Sequence, residues 1–458
     1  MFCEGCFEKQ RIIDRLEDEI RCLKAKLRYE ERKIKEGYFL SNTPSSLKIF
    51  KENSKSSFAQ SKGGAIKGHK GHGRQSISEK DADEIINLKS HSRCPRCKGK
   101  LQNKGIEQRS VIDIQPIKIK KILYKSEKKY CPHCKKIIKK KAEIWPNGMY
   151  GNQLISYLAV MHYGWGVPLG RVAKILGGEI PKGSIHNIFC RLRKKFNPAI
   201  KQLIREYREE GVKHVDETGW RTDGKRGFAW IFCSRNTSIF NFGKNRSSNT
   251  AIEILGKKRQ KGVLVVDRYR AYNKIRSKIQ YCYSHLLRDV KDLGKEFSED
   301  NEVIDFVNTM IMLLAEAIKL QKSNINDEAY YRKANSIKRK ILKTIKAPYK
   351  HLGIIKIQTI FKKNSRRLYH WVKNRDVPAD NNRAERELRP TVIARKVSFG
   401  SQSEKGAQTR SIIMSFLHTA QKRLKKNQMI ECWLKKILDQ VGLHPKINLY
   451  SLLPKPNS

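Results

Sequence analysis

The stretch 262-GVLVVD-267 decides how this chain folds. Val263, Leu264, Val265 and Val266 follow one another without a polar break, and three of the four are β-branched. An uninterrupted run of this kind is expected of a central strand buried on both faces. Upstream, 212-VKHV-215 reads as a short strand ending in Asp216, and 228-FAWIFC-233 and 238-SIFNFG-243 as two more. The segment 247-SSNTAIEIL-255 predicts a helix with serine available as an N-cap. Downstream, 279-IQYCYSHL-286 is a further strand candidate.

Three antiparallel strands, a helix and a buried parallel strand follow the order of the ribonuclease-H-like fold. In that architecture Asp216 and Asp267 end neighbouring strands. Two carboxylates side by side suit Mg²⁺ or Mn²⁺, hard ions that prefer oxygen. A pair of such ions serves phosphoryl transfer by activating one oxygen and stabilising another. A third acid is expected from 380-DNNRAERELRP-390, a helix start with Asp380 or Asn381 as cap. Glu385 and Glu387 both qualify there, pointing to different sides of the helix. The same ambiguity holds in 213-KHVDETGWR-221. A strand turns Asp216 and Glu217 to opposite faces, and spacing alone does not choose between them.

The bulk of the 458-residue chain sets the context. Its 97 Lys and Arg against 44 Asp and Glu leave a net charge of +53. That surplus opposes compaction unless a polyanion takes it up, and nucleic acid is the leading partner because each neutralised phosphate releases counterions. A membrane surface would call for a basic amphipathic anchor or a lipidation signal, and neither is visible. MFCEGCFEKQ lacks the apolar core of a signal peptide. The longest apolar region, 303–318, is too short and too interrupted to span a bilayer and reads as a buried helix. Eleven dispersed cysteines favour metal binding in a reducing compartment, so a cytoplasmic, nucleoid-associated protein is expected.

Length predicts two to four domains. Residues 1–40 hold a zipper-like helix, with Ile13, Leu16, Ile20, Leu23 and Leu27 spaced as a short heptad seam. Cys3 and Cys6 form a C-x-x-C with no second pair nearby. Residues 41–85 are a basic linker rich in Gly, Ser and Lys. Residues 86–145 carry 94-CPRC-97 and 131-CPHC-134, with β-rich sequence over 106–130. Cys94, Cys97, Cys131 and Cys134 offer four thiolates for a tetrahedral structural Zn²⁺ site, closed by a β-hairpin. Residues 146–205 show helix, short Gly-containing turn, helix, the outline of a helix-turn-helix, with Ser184, His186 and Asn187 near the front of its second helix. A catalytic domain over 206–400 and a helical element over 401–458 complete the chain.

HVDETGWR, VVDRYRAY, CYSHLLRD and NNRAERELRP, after paired CPxC knuckles and a GGxxxGHKGHGR segment, together resemble bacterial insertion-sequence transposases of family sixty-six. The resemblance runs from the zinc region to the C-terminus. It implies a DDE transposase in which Asp216, Asp267 and Glu385 are the first, second and third acids. It also implies an all-helical insertion between the second and third, about 286–375, which agrees with their wide separation. The implied chemistry is hydrolysis at the element ends, then attack of the freed 3′ hydroxyl on target DNA, supported by Mg²⁺ or Mn²⁺. Arg268, Arg270, His285 and Arg288 are the accompanying substrate-contact candidates. Glu217, an Asp in many relatives, is left as a neighbour or a phosphate-repelling gate. Implied partners are double-stranded DNA, a second copy of the chain in the synaptic complex, and small accessory proteins of the same element. The alternatives are a ribonuclease-H-like DNA nuclease without strand transfer and a zinc-containing DNA-binding regulator.

Overall fold

The computed structural model describes residues 4–36, 79–80, 82, 85–86, 93, 95–100, 119–139, 142–146 and 148–457. The expected linker at 41–85 lies almost wholly outside these residues, as do Cys3, Cys94 and the expected strands across 106–118. The chain divides into two compact units, 49–121 and the remainder, each considered by itself.

The larger unit is a mixed α/β structure. Helix α1 spans Glu4–Glu36, and a small hairpin pairs β1, Lys128–Cys131, with β2, Lys136–Lys139. Residues 119–127, expected as strand, carry none. Then follow α2, Asn152–Ala159, which continues as a π-helical turn over Val160–Gly164, α3, Leu169–Ile175, and α4, Lys182–Glu209. The main sheet is built from β3, Val212–Thr222, β4, Lys225–Cys233, β5, Ser238–Gly243, β6, Val263–Val266, and β7, Lys278–Tyr281, with α5, Ser248–Leu255, between β5 and β6. Its order is β5-β4-β3-β6-β7, with β3–β4–β5 antiparallel and β3–β6–β7 parallel.

Strand β6 is the central strand expected, buried along its whole length. Its start depends on Gly262: φ is +69°, and a Cβ there would sit 1.9 Å from the Gly211 carbonyl oxygen. That same carbonyl accepts the Val263 amide at 2.9 Å, so only glycine lets β6 begin beside β3. The start of β3 is fixed by Lys213, fully buried, whose ammonium donates to the carbonyls of Arg208, Glu210 and Lys261 at 2.7–3.0 Å.

Strand β3 differs from expectation. It does not end at Asp216 but runs on to Thr222, because β4 pairs with it through Thr222. Its other edge is shared: β6 covers Val212–His214, and a two-residue strand β8, Gly400–Ser401, pairs at Arg221 and Thr222. Between them, residues 215–220 have no strand partner on that edge among the described residues. Asp216 therefore sits mid-strand, yet at a break in the sheet.

Helices α6, Tyr283–Glu296, α7, Asn301–Leu320, α8, Asp327–Lys346, α9, Leu352–Lys363, and α10, His370–Lys373, occupy the sequence between β7 and α11, Asn382–Ser398. Residues 279–286 are split accordingly: β7 ends at Tyr281, Cys282 is the N-cap of α6, and 283–286 are helical. Helix α7 buries one face through Val303, Phe306, Met310, Leu313, Leu314 and Ala317. These helices and the sheet share one core, from Trp230 and Leu264 through Tyr283 and Phe306 to Trp371.

Two further helices, α12, Glu404–Arg423, and α13, Ile430–Leu443, end the chain. Helix α12 closes the sheet edge. Ser411, Ser415 and Thr419 accept the backbone N–H groups of Phe242, Phe240 and Ser238 at 2.8–3.1 Å. Four helical residues advance about 6 Å and two strand residues about 7 Å, so hydroxyls at i, i+4 and i+8 match alternate amides of an edge strand. An edge left bare would be a template for unwanted pairing. Helix α4 crosses the expected boundary at 205–206. Its Phe196 stacks on Phe416 of α12, and Tyr207 packs against Phe232 of β4.

His162, in the π-helical turn, is held neutral by this packing. Its Nδ1 lies 2.8 Å from the Val167 carbonyl oxygen, and its Nε2 lies 3.2 Å from a guanidinium nitrogen of the buried Arg410. The first must donate and the second accept. Burial, then the Arg410 charge, lower its pKa to about 4. The unfolded chain takes up this proton near pH 6.5, so the folded state loses stability as pH falls from about 6.5 to 4. The loss should be at most about 3 kcal/mol, and His162→Gln should flatten that part of a melting-temperature profile taken between pH 7 and 4.5.

Candidate active site

The register of the parallel ladder sets two acids side by side. His214 pairs with Val265, and Asp216 and Asp267 each lie two residues further along. Both are nearly buried. Asp267 accepts the Tyr269 amide at 2.9 Å, and Asp216 accepts the Glu217 amide at 2.9 Å. A peptide N–H turned onto each carboxylate fixes its orientation.

The third acid comes from α11, whose first turn is latched to β3 by Asn381. Asn381 is completely buried and is the N-cap position of α11, but its side chain makes no cap bond. It reaches across the sheet break instead: Nδ2 donates to the Val215 carbonyl at 2.9 Å, and Oδ1 lies 2.9 Å from Nδ1 of His214. Its own carbonyl accepts the Glu385 amide at 3.3 Å. Further along, Arg395 donates to the Gly219 carbonyl at 2.7 Å. Two carbonyls of the edge that β6 and β8 leave uncovered, Val215 and Gly219, thus find donors at the two ends of α11, and Glu385 lies within the electrostatic reach of Asp216.

The members of the two open pairs sit in different environments. Glu387 is engaged elsewhere, accepting from Ser238 Oγ at 2.8 Å and facing Lys422 Nζ at 2.9 Å. Glu385 shares the field of the acids: burial raises its pKa first, Asp380 and Asp267 add to that, and Arg288 and Arg389 oppose it. Glu217 is neither ligand-like nor a gate. Its side chain is fully buried on the other face of β3, where Arg246 Nε donates to it at 2.7 Å and the Tyr272 hydroxyl donates to its second oxygen. Arg246 in turn lies 3.7 Å over the Tyr269 ring, and the Tyr269 hydroxyl donates to the Arg246 carbonyl at 2.7 Å. The network clamps the loop after Asp267. Glu217→Ala should cost roughly 3–5 kcal/mol, because it strands a buried guanidinium, and Glu217→Gln markedly less. Thermal melting of the two variants checks this.

Of the accompanying candidates, Arg268 is buried and paired with Asp289 of α6, which braces the loop. Arg270 is exposed. His285 is buried, with Nδ1 3.9 Å from Glu385 Oε1, and Arg288 is half-buried near the same carboxyl.

The electrostatics explain what such a site requires. Asp216 is raised well above the usual carboxylate range, first by burial and then by Glu217, Asp267 and Glu385. Asp216, Asp267 and Glu385 press on one another, and a cation among them would favour their anionic forms. All-oxygen donors fit a hard divalent ion.

A separate cysteine motif is legible in parts. In the smaller unit, Arg93 and Lys100 form an antiparallel bridge around Cys97, and Lys98 adopts φ +63°. In the β1–β2 hairpin, Cys131 stands opposite Lys136, and Lys135 adopts φ +52°. Each C-x-x-C is therefore followed by a left-handed lysine. Hydrogen bonds to Cys131 from Cys134 and from the His133 amide lower the Cys131 pKa, as a thiolate ligand requires.

A family model described as "Transposase IS66 family" matches residues 147–409, and one described as "zinc-finger binding domain of transposase IS66" matches residues 91–135. No curated protein matches. Among solved structures, the HTLV-2 integrase catalytic core domain, in complex with magnesium and in dimeric form, is 14% identical. That likeness covers 26% of this chain and 90% of that one, with a TM-score of only 0.13.

Proposed function

The chain belongs to the IS66 family of transposases and is a DDE transposase, and from that premise we propose that Asp216, Asp267 and Glu385 are its three acids and that it both cleaves element ends and joins them to target DNA. The observation that carries the reading is the break in β3. There Asp216 and Asp267 each lie two residues past the last ladder pair, His214 and Val265, and the Asn381 contact with β3 holds the start of the helix that carries Glu385, which supports the assignment. We read the sheet as ribonuclease-H-like and α6–α10 as the helical insertion of the catalytic domain.

Asp216 and Asp267 would hold the divalent ions, Mg²⁺ or Mn²⁺, and Glu385 would complete one shell. When bound, the ions supply the Lewis acidity for in-line displacement at phosphorus. The chain's own part is positional. The Tyr269 and Glu217 amides orient two carboxylates, the Glu217–Arg246–Tyr272 clamp holds the loop behind Asp267, and Arg288 sits ready for phosphate beside Glu385. No side chain is needed as a nucleophile.

We assign Cys94, Cys97, Cys131 and Cys134 to one structural Zn²⁺. Exposed His186 and Asn187, at the front of α4, are the base-contact candidates of a helix-turn-helix. The seam of α1, with Ile13, Leu16, Ile20, Leu23 and Leu27 at 47–63% exposure, suits pairing with a second copy. Among the described residues no helix is long and apolar enough to cross a membrane. We place the protein in the cytoplasm on nucleoid DNA, with small proteins of the same element as possible partners.

Incubation of the full chain with end-labelled element DNA, target plasmid and Mg²⁺ tests the reaction. Joined product is expected. Cleavage without joining would support the nuclease, and binding alone the regulator.

A further inference from the structure

Three donors of different chemistry converge where α6 begins against α11. Cys282 is the N-cap of α6 and His285 lies three residues on, a C-x-x-H spacing that puts sulfur and imidazole in one turn. A ligand atom from each of Cys282, His285 and Glu385 lies within 4.8 Å of the others. Cys282 is fully buried, His285 nearly so, and the Glu385 side chain is 28% exposed. Two backbone amides face the sulfur: the Asn381 amide donates to it at 3.1 Å, and the His285 amide bonds it as well. Glu385 Oε1 is buried and takes no hydrogen bond from a described residue.

We propose that Cys282, His285 and Glu385 form a site for a zinc-class ion, distinct from the cysteine knuckles, and that its occupation withdraws Glu385 from the catalytic acids. Sulfur and imidazole select Zn²⁺ or Cd²⁺ over Mg²⁺, which dehydrates reluctantly and prefers oxygen. Tetrahedral bonds of about 2.0–2.3 Å place donor atoms about 3.5 Å apart, so the three must close by roughly 1 Å. The part-exposed Glu385 side chain can supply that movement. Binding replaces the Cys282 S–H proton by the metal, releasing the proton to solvent, and leaves the fourth position to water or a DNA phosphate oxygen.

The inhibitory half of the proposal rests on Glu385 being a catalytic acid, whereas the binding half does not. Full-length protein with its knuckles already zinc-loaded is titrated with Zn²⁺ by calorimetry and with Co²⁺ by absorption. The wild type should bind one further ion per chain, with a sulfur-to-cobalt charge-transfer band. Cys282→Ser should lose both, and His285→Asn should weaken binding at least tenfold. Metal-free melting of each variant verifies its fold, and Glu385→Gln serves as a third variant if Cys282→Ser melts early. Equal stoichiometry and equal spectra in the wild type and the variants would overturn the site. In the DNA assay, Zn²⁺ added over fixed Mg²⁺ should inhibit the wild type at least tenfold more than Cys282→Ser, each relative to its own uninhibited rate. A further ion that binds through Cys282 without inhibiting would uphold the site and sink the catalytic reading of Glu385.

Discussion

Asp216→Asn, Asp267→Asn and Glu385→Gln are each expected to lower strand cleavage and joining by about a thousandfold while leaving DNA binding intact. Each change preserves volume and removes one anionic oxygen ligand. An ion shell that contributes several kcal/mol to the transition state, about 4 kcal/mol here, converts to that factor at 1.36 kcal/mol per decade. The stability response separates this reading from a merely structural one. In metal-free buffer Asp216 is buried and pressed by three other acids, so Asp216→Asn should raise the melting temperature. Glu385 has Arg288 and Arg389 nearby and is part exposed, so Glu385→Gln should change it less. Added Mg²⁺ should raise the wild-type melting temperature, and that shift should vanish in Asp216→Asn and Asp267→Asn. A variant that joined DNA ends at the wild-type rate would displace its residue from the site.

How much of this site could be read from the chain depends on range. Strand β6 was legible because burial on both faces leaves an unbroken apolar run. The placing of Asp216 and Asp267 on neighbouring strands followed from the order of elements. The length of β3 was not legible, because Thr218–Thr222 carries no alternating pattern and owes its pairing to β4 and to residues 400–401. Alternation put Glu217 on the far face, but its partner Arg246 lies 29 residues away, and no local rule announces that pair. Asn381 read as a helix cap because Asn usually caps. Its contacts with His214 and Val215 span some 166 residues and outcompete the cap. The hydroxyls of Ser411, Ser415 and Thr419 were in plain view at four-residue spacing. They pass for solvated helix positions until an edge strand is laid beside them.

Removing zinc, or changing Cys131→Ser or Cys134→Ser, is expected to unfold the β1–β2 hairpin while residues 147–409 keep their melting transition. The hairpin has four residues per strand, and a two-stranded hairpin is marginal alone in water. Its apolar side chains do not rescue it: Tyr130, Ile137 and Ile138 are 62%, 67% and 57% exposed. The hairpin buries little of its own, and a Zn²⁺ held by four thiolates, as proposed, would contribute on the order of 10 kcal/mol of folding free energy at neutral pH. Lys98 and Lys135, which follow the two pairs, adopt φ +63° and +52°, and at Cys131 the His133 and Cys134 amides bond the sulfur. Chelation should therefore open proteolytic sites between residues 91 and 139, and added Zn²⁺ should close them. Metal analysis should find about one zinc per chain from these four cysteines, and Cys94→Ser should lose it although Cys94 is far in sequence from Cys131 and Cys134. Retention of zinc and protease resistance in Cys94→Ser would break the link between the two knuckles and leave the hairpin to be held by some other contact.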